Sequence, residues 1–356
     1  MRIESVLTGK FETYKDKTFY PHLSESNRAL IQRLSLAYRF TFQELRQVSQ
    51  TARDFEMWQE PNLDEFWDEL EKSAPQNLTG PQRKHYLLKE FSRQVSEIKA
   101  AAKSYSAVPL DSPKRQPLKI TKEETDKDIF GNCPVASPKT VCCNLKTIDA
   151  VENCAFGCSY CTIQTFYGDR VVFDSRLKEK LKNIQLDPKR FYHIGTGQSS
   201  DSLVWGNREG ILDNLCDFAR AHPNILLEFK TKSDHVSYFL DHEIPRNVVC
   251  SWSLNTDTIV ENEEHFTASL TRRLEAARKA ADHGVKVAFH FHPIVYYEGW
   301  KEEYQDLAGK VQKMFQTDEV LFISFGSVTF IKPVIQEIRK RGGHTKILQM
   351  DLVPDP

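Results

Sequence analysis

The sequence predicts an α/β protein, in which a partial (β/α)6 TIM-type barrel follows a mainly helical N-terminal region. From about residue 144 onward, six short apolar segments alternate with helical patterns, which indicates parallel strands joined by right-handed crossovers. Before residue 105, apolar residues recur instead with the helical period. A stretch rich in Pro, Lys and Asp separates these two parts. We therefore expect a helical region at residues 1–105, an extended linker at 106–143 and the barrel domain at 144–356.

The N-terminal region is predicted to hold three helices, at residues 27–39, 41–58 and 80–105. The second begins with Thr41 and Glu44, which match the capping-box pattern. Two helices joined by a short turn occur both in DNA-binding helix-turn-helix motifs and in helical hairpins that pack against a main domain. No basic face accompanies these helices, so the hairpin is favoured.

Six strands and five helices make up the predicted barrel domain. Each strand is a short apolar run, and the helices between and after them show the helical period. In barrels of this kind, functional residues gather at the carboxyl ends of the strands. The strands are expected at residues 145–152, 191–197, 224–231, 247–254, 285–295 and 320–328, and the helices at residues 208–220, 233–240, 269–283, 300–315 and 332–341.

Composition and charge limit the classes of protein to which the chain can belong. The 356 residues are 40% hydrophobic, enough to bury a core without disulfides. The chain has 48 basic and 49 acidic residues, so its overall charge does not by itself indicate nucleic-acid binding. It lacks both an apolar signal segment and any stretch near the roughly 18 apolar residues of a membrane span. We expect a cytoplasmic protein with no membrane partner, whose thiols stay reduced.

Three cysteines, Cys154, Cys158 and Cys161, lie within eight residues after the first predicted strand. Clustered thiols in a reducing compartment suggest a metal site or catalysis. Soft thiolates select iron–sulfur clusters, zinc or Cu(I). A [4Fe–4S] cube is usually held by four cysteines, so three would leave one iron with an open position. Gly157 allows a tight turn and Asn153 can cap the loop, while a zinc knuckle lacking a ligand and chance clustering remain the alternatives.

This triplet, on the loop after the first strand of βα units, resembles the radical S-adenosylmethionine (SAM) superfamily. The resemblance implies a barrel of the radical SAM type and a [4Fe–4S] cluster whose open iron binds SAM. Reductive cleavage of SAM would then give a 5′-deoxyadenosyl radical. A reducing electron donor such as flavodoxin or ferredoxin is implied as a partner. The aromatic residue between the last two cysteines, here Tyr160, is also typical of the superfamily.

Five further stretches of the barrel region form a recognisable set: CSYCTIQTFYG (158–168), SSDS (199–202), FKTKSDHV (229–236), SWSLNTD (251–257) and PIVYYEGWKEEY (293–304). Through them, residues 154 to 332 resemble the spore photoproduct lyase family, DNA-repair enzymes that reverse a thymine dimer. In that family the lysine and serine that match Lys232 and Ser253 contact SAM. A lysine can pair with the methionine carboxylate, and a serine can hydrogen-bond to it. The alternative is a surface lysine and a strand-capping serine.

The sequence also departs from that family. Where the lyases carry a cysteine that donates a hydrogen atom to the product radical, this chain has Gln198. The tyrosine that follows their third cluster cysteine, part of their radical relay, is Thr162 here, whereas Tyr160 is retained. Tyr160 is therefore our first catalytic candidate. The departures favour a relative that acts on another substrate.

Other residues could complete the machinery. The GTGQ turn, with Gly195, Gly197 and Gln198 followed by Ser199, is predicted to bind the amino group of SAM through backbone carbonyls and the glutamine side chain. Cys250, on the fourth predicted strand, is the best substitute for the missing thiol, although a core role is the plainer interpretation.

Several further residues have two interpretations each. Cys133, Cys142 and Cys143 could help to hold a second cluster or supply a thiol, or they are ordinary buried cysteines. His290 and His292 share one face of the fifth strand, where they either bind substrate and relay protons inside the barrel or lie at the helix–sheet boundary. An aromatic rim for a ring substrate, or ordinary loop packing, is predicted at Tyr296, Tyr297, Glu298 and Trp300.

Three functions follow from these observations. The leading one is a lyase-like radical SAM enzyme that abstracts hydrogen from an unidentified substrate, with nucleic acid as one candidate. The second is a true spore photoproduct lyase acting on DNA with a different hydrogen donor. The third is a non-enzymatic nucleic-acid-binding protein that keeps the cluster for structure.

Overall fold

The computed structural model describes residues 10–107, 110–115, 117–133 and 145–353. The chain forms two compact units. Unit 1 comprises residues 1–113, 296–298 and 330–356, and unit 2 comprises residues 114–295 and 299–329. Among the described residues, no helix is both long and apolar enough to cross a membrane.

Unit 1 is helical, as predicted. The Thr41 side chain accepts from the Glu44 N–H while the Glu44 carboxylate accepts from the Thr41 N–H, which confirms the capping box. The Asn62 side chain caps the following helix. The helices are α1 (Glu25–Tyr38), α2 (Phe42–Trp58), α3 (Leu63–Ser73) and α4 (Gly80–Ala100), with a late helix, Lys332–Arg341, that belongs to the same unit.

The core of unit 1 explains why α1 and α2 pack together. Each helix presents an apolar face to one shared cluster, which burial of apolar surface stabilises. Buried aromatic rings of α2, α3 and α4 meet there, with Trp67 packing 5.7 Å from Phe91 between ring centroids. Val334 and Ile338 of the late helix join the same cluster. The arrangement is a packed helical hairpin extended by further helices.

Unit 2 is built on a seven-stranded sheet that contains the six predicted strands, although the first, predicted at residues 145–152, joins it only over Lys146–Ile148. Six of its strands run parallel in sequence order, and an antiparallel strand lies at one edge. A sheet of sequential parallel strands is the partial barrel that the sequence predicts. In chain order the strands of unit 2 are β1 (Lys119–Glu123), β2 (Phe130–Asn132), β3 (Lys146–Ile148), β4 (Val151–Glu152), β5 (Gly157–Cys158), β6 (Arg170–Asp174), β7 (Tyr192–Thr196), β8 (Ile225–Thr231), β9 (Val248–Leu254), β10 (Glu264–His265), β11 (Lys286–Ile294) and β12 (Val320–Ser327), and the large sheet has the order β12-β11-β9-β8-β7-β3-β2.

Two small sheets accompany the large one. In the first, β6 pairs with β1 in parallel and with β4 antiparallel. In the second, β5 pairs antiparallel with β10, which ties the cysteine loop to a segment far along the chain. The helices of unit 2 are α5 (Leu177–Asn183), α6 (Ile211–Ala221), α7 (Ser237–Asp241), α8 (Asp257–Glu263), α9 (Leu270–Asp282) and α10 (Trp300–Met314), and the late helix of unit 1 is α11 (Lys332–Arg341).

The boundaries of the units differ from the domain boundaries predicted from sequence. The segment predicted as a linker, residues 106–143, contains β1 and β2, and the first of these adds an edge to the β6 sheet. Helix α11, predicted as part of the barrel domain, contributes instead to the core of unit 1. Val334 and Ile338 of this helix pack in the core of unit 1 because burial there removes their apolar side chains from water.

Candidate active site

The three-cysteine loop begins at a residue with an unusual backbone. Asn153 follows β4 and has a φ of 72°, a left-handed conformation that asparagine tolerates better than most side chains. Its side-chain amide donates to the carbonyls of Gly168 and Arg170 at 2.8 and 2.9 Å. Its carboxamide oxygen accepts from the Cys154 N–H at 2.8 Å, which confirms the predicted cap. The start of the loop is therefore fixed to the segment that leads into β6.

The middle of the loop is held by backbone pairing. Cys158 is directly opposite Glu264 in the β5–β10 ladder, and Gly157 is opposite His265. A side chain at Gly157 would meet the Phe266 ring at 3.1 Å, so the close approach of the two strands favours glycine. After the ladder, the Cys161 N–H donates to the Cys158 carbonyl at 3.1 Å.

The chemistry of the three thiols fits an iron–sulfur cluster. Burial raises the pKa of Cys154, and the neighbouring Asp201 and Cys161 raise it further. Burial likewise raises the pKa of Cys158. Binding a metal converts such thiols to thiolates and supplies the missing positive charge. Among the described residues, no three Cys, His, Asp or Glu side chains converge on one metal ion, whereas in a cluster each cysteine binds its own iron.

A buried network of charged and polar groups lies beside Cys158. The Tyr160 hydroxyl donates to the Glu264 carboxylate, and the Lys232 ammonium lies 3.6 Å from the same carboxylate. Arg273, which is fully buried, pairs with Glu264 at 2.6 Å. Burial opposes the ionised form of Glu264, but Arg273 and Lys232 outweigh it and lower its pKa to about 2. The carboxylate is thus ionised and holds two cations and one phenol in place.

The network connects the cysteine loop to the barrel strands. Arg273 donates to the carbonyl of Ser253 at 3.0 Å, so the cation also fixes the end of β9. Asn255 donates to Glu264 at 3.1 Å and accepts from the Tyr304 hydroxyl. Glu264, Arg273, Asn255 and Tyr304 are buried, so the contacts at the centre of the network are shielded from water.

The GTGQSS turn after β7 is shaped by close contacts. Gly197 has a φ of 81°, and a side chain there would meet the Ser202 hydroxyl at 2.6 Å and the Lys230 carbonyl at 3.0 Å. A side chain at Gly195 would lie 2.7 Å from the end of the Leu145 side chain, which can shift, so this glycine is less strictly required. The Ser199 hydroxyl donates to the Val151 carbonyl at 2.8 Å. The backbone of the turn therefore requires glycine at position 197 irrespective of any ligand.

Asp201 fixes this turn to the end of β8. Its carboxylate accepts from the Lys232 N–H and the Thr231 hydroxyl, both at 2.7 Å. It also accepts from the backbone N–H groups of Leu203 and Val204. Burial raises the pKa of Asp201, while these hydrogen bonds lower it by less. The backbone of Lys232 is thereby oriented independently of its side chain.

A thiol lies close to Gln198, the position at which the lyases carry their hydrogen-donating cysteine. In the folded chain Cys133 lies next to Gln198, and the Cys133 sulfur is 4.0 Å from the Gln198 carboxamide oxygen. Cys250, the thiol favoured from sequence, is fully buried on β9, and burial raises its pKa. Cys142 and Cys143, proposed with Cys133 for a second cluster, lie outside the described residues.

The two histidines of β11 face the barrel interior, one of the two alternatives left open by the sequence. His290 Nε2 lies 2.5 Å from the Glu228 carboxylate on β8, and its Nδ1 lies 2.5 Å from the Ser324 hydroxyl on β12. Phe289, the preceding residue of β11, packs instead on Phe315 at the end of α10, so the helical layer covers the opposite face of the strand. Successive side chains of a strand alternate between its two faces, so His292 lies on the same face as His290.

The predicted aromatic rim is divided. Tyr297 is buried in unit 1 against Tyr105, with ring centroids 5.7 Å apart, and the Glu298 N–H donates to the Lys103 carbonyl. Trp300 begins α10 and packs on Tyr304. These contacts are the loop packing given above as the alternative.

Sequence reasoning did not single out Glu264, Arg273 and Asn255. The Tyr160 and Glu264 side chains are 104 positions apart, so no local spacing predicts the contact. One available signal was Arg273 on α9, where the helical pattern places a charge on the face that carries Leu270, Leu274 and Ala277.

A parallel partial barrel with a three-cysteine loop after its first strand defines a class, the radical SAM type of barrel. Comparison with known families specifies it. The family model described as spore photoproduct lyase matches residues 146–353, more than half of the chain. The chain therefore belongs to the spore photoproduct lyase family.

Individual relatives agree. The chain is 28% identical over 208 residues to spore photoproduct lyase of Bacillus subtilis and 26% identical over 208 residues to that of Geobacillus sp.. Each match covers 56% of this chain and 61% of the relative, so the chain spans less than two thirds of these relatives' length.

Solved structures show the shared fold. A double mutant of spore photoproduct lyase with bound AdoMet and dinucleoside spore photoproduct has a TM-score of 0.53 and 23% identity. Spore photoproduct lyase complexed with dinucleoside spore photoproduct has a TM-score of 0.52 and 23% identity. Both comparisons cover 71% of this chain and 78% of the other.

Proposed function

We propose that this chain is a lyase-like radical SAM enzyme that holds a [4Fe–4S] cluster through Cys154, Cys158 and Cys161 and binds SAM beside it. The observation that carries the proposal is the three-cysteine loop, which is fixed by Asn153 at one end and by the β5–β10 ladder in the middle, with Cys158 buried and Cys154 and Cys161 partly exposed. When bound together, the cluster and SAM supply a 5′-deoxyadenosyl radical by one-electron reduction. Flavodoxin or ferredoxin is the proposed class of electron donor.

The surrounding residues support SAM binding in distinct ways. Lys232 keeps 14% of its side chain exposed and is oriented by Glu264 from below and Asp201 through its backbone, so it can pair with a carboxylate. Ser253 lies near the end of β9, the strand that pairs with β8 up to Thr231, and Gln198 offers a carboxamide for the amino group of SAM. The Tyr160 ring lies 5.6 Å from the Lys232 ammonium and covers this cation.

The substrate class is proposed from the relatives. Solved structures of the family contain dinucleoside spore photoproduct, which makes a nucleic-acid lesion the first substrate to test for this chain. The hydrogen-donating cysteine of the lyases is replaced by Gln198 in this sequence, so a different lesion or a different nucleotide is equally open to test.

Anaerobic reconstitution tests the proposed function directly. We expect the full chain, loaded with iron and sulfide, to form 5′-deoxyadenosine from SAM when dithionite supplies electrons, measured by chromatography. The same protein without iron is the control and should form none. Failure of the loaded protein to form 5′-deoxyadenosine would contradict the enzyme proposal and favour the non-enzymatic, nucleic-acid-binding alternative.

A second candidate function, a true DNA photoproduct lyase with a different hydrogen donor, is favoured by one observation. The Cys133 sulfur lies beside Gln198, the residue that occupies the donor position. A thiol can give a hydrogen atom that a glutamine cannot. Cys133 is partly exposed, whereas Cys250 is fully buried in the core of the sheet.

Cysteine variants separate the two donors. With dinucleoside spore photoproduct as substrate, Cys133→Ala is expected to lower repair at least about tenfold while 5′-deoxyadenosine formation persists, because only the return of hydrogen is lost. Cys250→Ala is the matched control and should retain repair. Loss of repair in Cys250→Ala alone would transfer the role to Cys250, and full repair in both variants would exclude either thiol as donor.

A further inference from the structure

The interior of the barrel contains a polar cluster that the cysteine loop and SAM residues do not use. Its centre is Glu228 on β8, which is 1% exposed. The Ser251 hydroxyl on β9 and His290 Nε2 on β11 each lie 2.5 Å from this carboxylate. His193 Nε2 on β7 lies 2.8 Å from its other oxygen. One buried carboxylate thus joins four neighbouring strands.

The protonation of His290 follows from its partners. Burial lowers its pKa, Glu228 raises it and Lys230 lowers it again, with a net lowering. The neutral ring therefore donates from Nε2 to Glu228 and accepts at Nδ1 from the Ser324 hydroxyl. These two hydrogen bonds hold the His290 ring in one orientation. We call the His290 ring and the Glu228 carboxylate together the His290–Glu228 floor of the interior. The arrangement also satisfies Glu228, which has no remaining need of a ligand.

Above this floor, the interior is open. On β11, His292 is exposed although Phe291 and Pro293 on either side of it are buried. On β8, Lys230 is partly exposed between the buried Phe229 and Thr231. Side chains on the inward face of a sheet are exposed only where the interior holds an accessible space.

The neighbouring strand is shaped to receive His292. A side chain at Gly326 on β12 would lie 2.3 Å from the His292 ring, so only glycine leaves room for it there. Gly326 does not have the positive φ that would require glycine for the backbone. The absence of a side chain at this position therefore serves the placement of the imidazole.

The open space is positively charged. Lys230 and Lys232 project from the same face of the chain at the end of β8, and both act electrostatically on His290. Glu228 contacts two imidazoles, and Glu264 pairs with both Arg273 and Lys232, which leaves Lys230 as the cation nearest to the space beside His292. Among the described residues, no three His, Cys, Asp or Glu side chains of this interior converge on one metal ion.

We propose that Lys230 and His292, above the His290–Glu228 floor, bind a phosphate group of a nucleotide substrate inside the barrel. Lysine binds phosphate as a point charge, and an imidazole adds a directed hydrogen bond. The inference deepens the proposed function and rests on its nucleic-acid substrate class. It assigns the phosphate to residues distinct from Lys232 and Ser253, which are proposed to contact SAM.

A pair of dinucleotides that differ only in charge tests this site. The cluster-loaded full chain is expected to bind thymidylyl-thymidine about tenfold more tightly than the same dinucleotide with a neutral methylphosphonate linkage, measured by titration calorimetry. Lys230→Met should abolish this difference. Lys310→Met, which removes a 51% exposed lysine from α10, is the matched control and should retain it.

A steric variant and a second ligand complete the test. Gly326→Ala keeps every charge but displaces His292, and we expect it to reduce the preference for the charged linkage at least about threefold. Gly309→Ala, where a side chain meets open space, is its control. The affinity of Lys230→Met for SAM is measured as well. If this variant loses as much affinity for SAM as for the dinucleotide, Lys230 belongs to the SAM carboxylate and the inference is overturned.

The outcomes for this site and for the enzyme are separable. If the wild-type chain forms 5′-deoxyadenosine but binds both linkages equally, the phosphate site is wrong and the proposed function stands. If it forms none but prefers the charged linkage in a Lys230-dependent way, the phosphate site stands and the proposed enzyme function is wrong.

Discussion

Replacing Cys158 by alanine is expected to reduce bound iron and sulfide and to lower 5′-deoxyadenosine formation by at least about 100-fold, since even the loss of a partner outside the ligand set costs 10–100-fold in metal affinity. Cys158 is 5% exposed and lies in the β5–β10 ladder, so strand pairing holds the backbone that carries its thiol. Iron and sulfide analysis and the absorption spectrum of the reconstituted protein measure the first effect, and chromatography measures the second.

The control for this variant is a cysteine that is equally buried and has no place in the loop. Cys216 is 0% exposed on α6, and Cys216→Ala should retain both the cluster and SAM cleavage. A Cys158→Ala protein that binds iron and sulfide as the wild type does would contradict the proposed ligand set.

Replacing Arg273 by methionine is expected to destabilise the region around the cysteine loop by about 3–5 kcal/mol, because it leaves the Glu264 carboxylate buried without its main counter-charge. Arg273 and Glu264 are both fully buried, and Arg273 also donates to the Ala268 and Ser253 carbonyls. Since the chain has two compact units, a single unfolding free energy is poorly defined. Hydrogen exchange of peptides covering residues 250–275 and 150–165 measures the local effect.

The adjacent arginine provides the control. Arg272 pairs with Asp234 at the surface and has 64% of its side chain exposed, so Arg272→Met should change the local stability by no more than about 1 kcal/mol. Equal protection from exchange in the two variants would show that the buried pair does not support the loop. Combining Arg273→Met with Glu264→Gln should recover part of the loss, since the unpaired charge is then removed as well.

Much of the fold could be predicted because its signals are local. The strand expected at residues 247–254 is β9 (Val248–Leu254), and the helix expected at 332–341 is α11 with the same bounds. Strand β1 was missed because most of its residues are exposed and it shows no apolar alternation. Helix α3 was also missed, although Asn62 as its cap and the buried Trp67 and Leu70 were signals that the sequence carried.

The candidate site was predictable only in part, for a related reason. The spacing of the cysteines is local and gave the proposed cluster ligands. The contacts of Glu264 with Tyr160 and Arg273, and those of Glu228 with His290, join different strands and helices. Such contacts depend on sheet order and register, which a single sequence does not specify. The proximity of Cys133 to Gln198, 65 positions along the chain, has the same origin.

The β5–β10 ladder also sets an order of events during synthesis. The strand partner of Cys158 emerges from the ribosome about one hundred residues after it, which at roughly 5–20 residues per second is a delay of the order of 5–20 s. During that interval the three thiols have left the ribosome but lack the strand that holds their loop. The loop that carries the three cysteines can therefore adopt its paired geometry only after residue 265 has been synthesised.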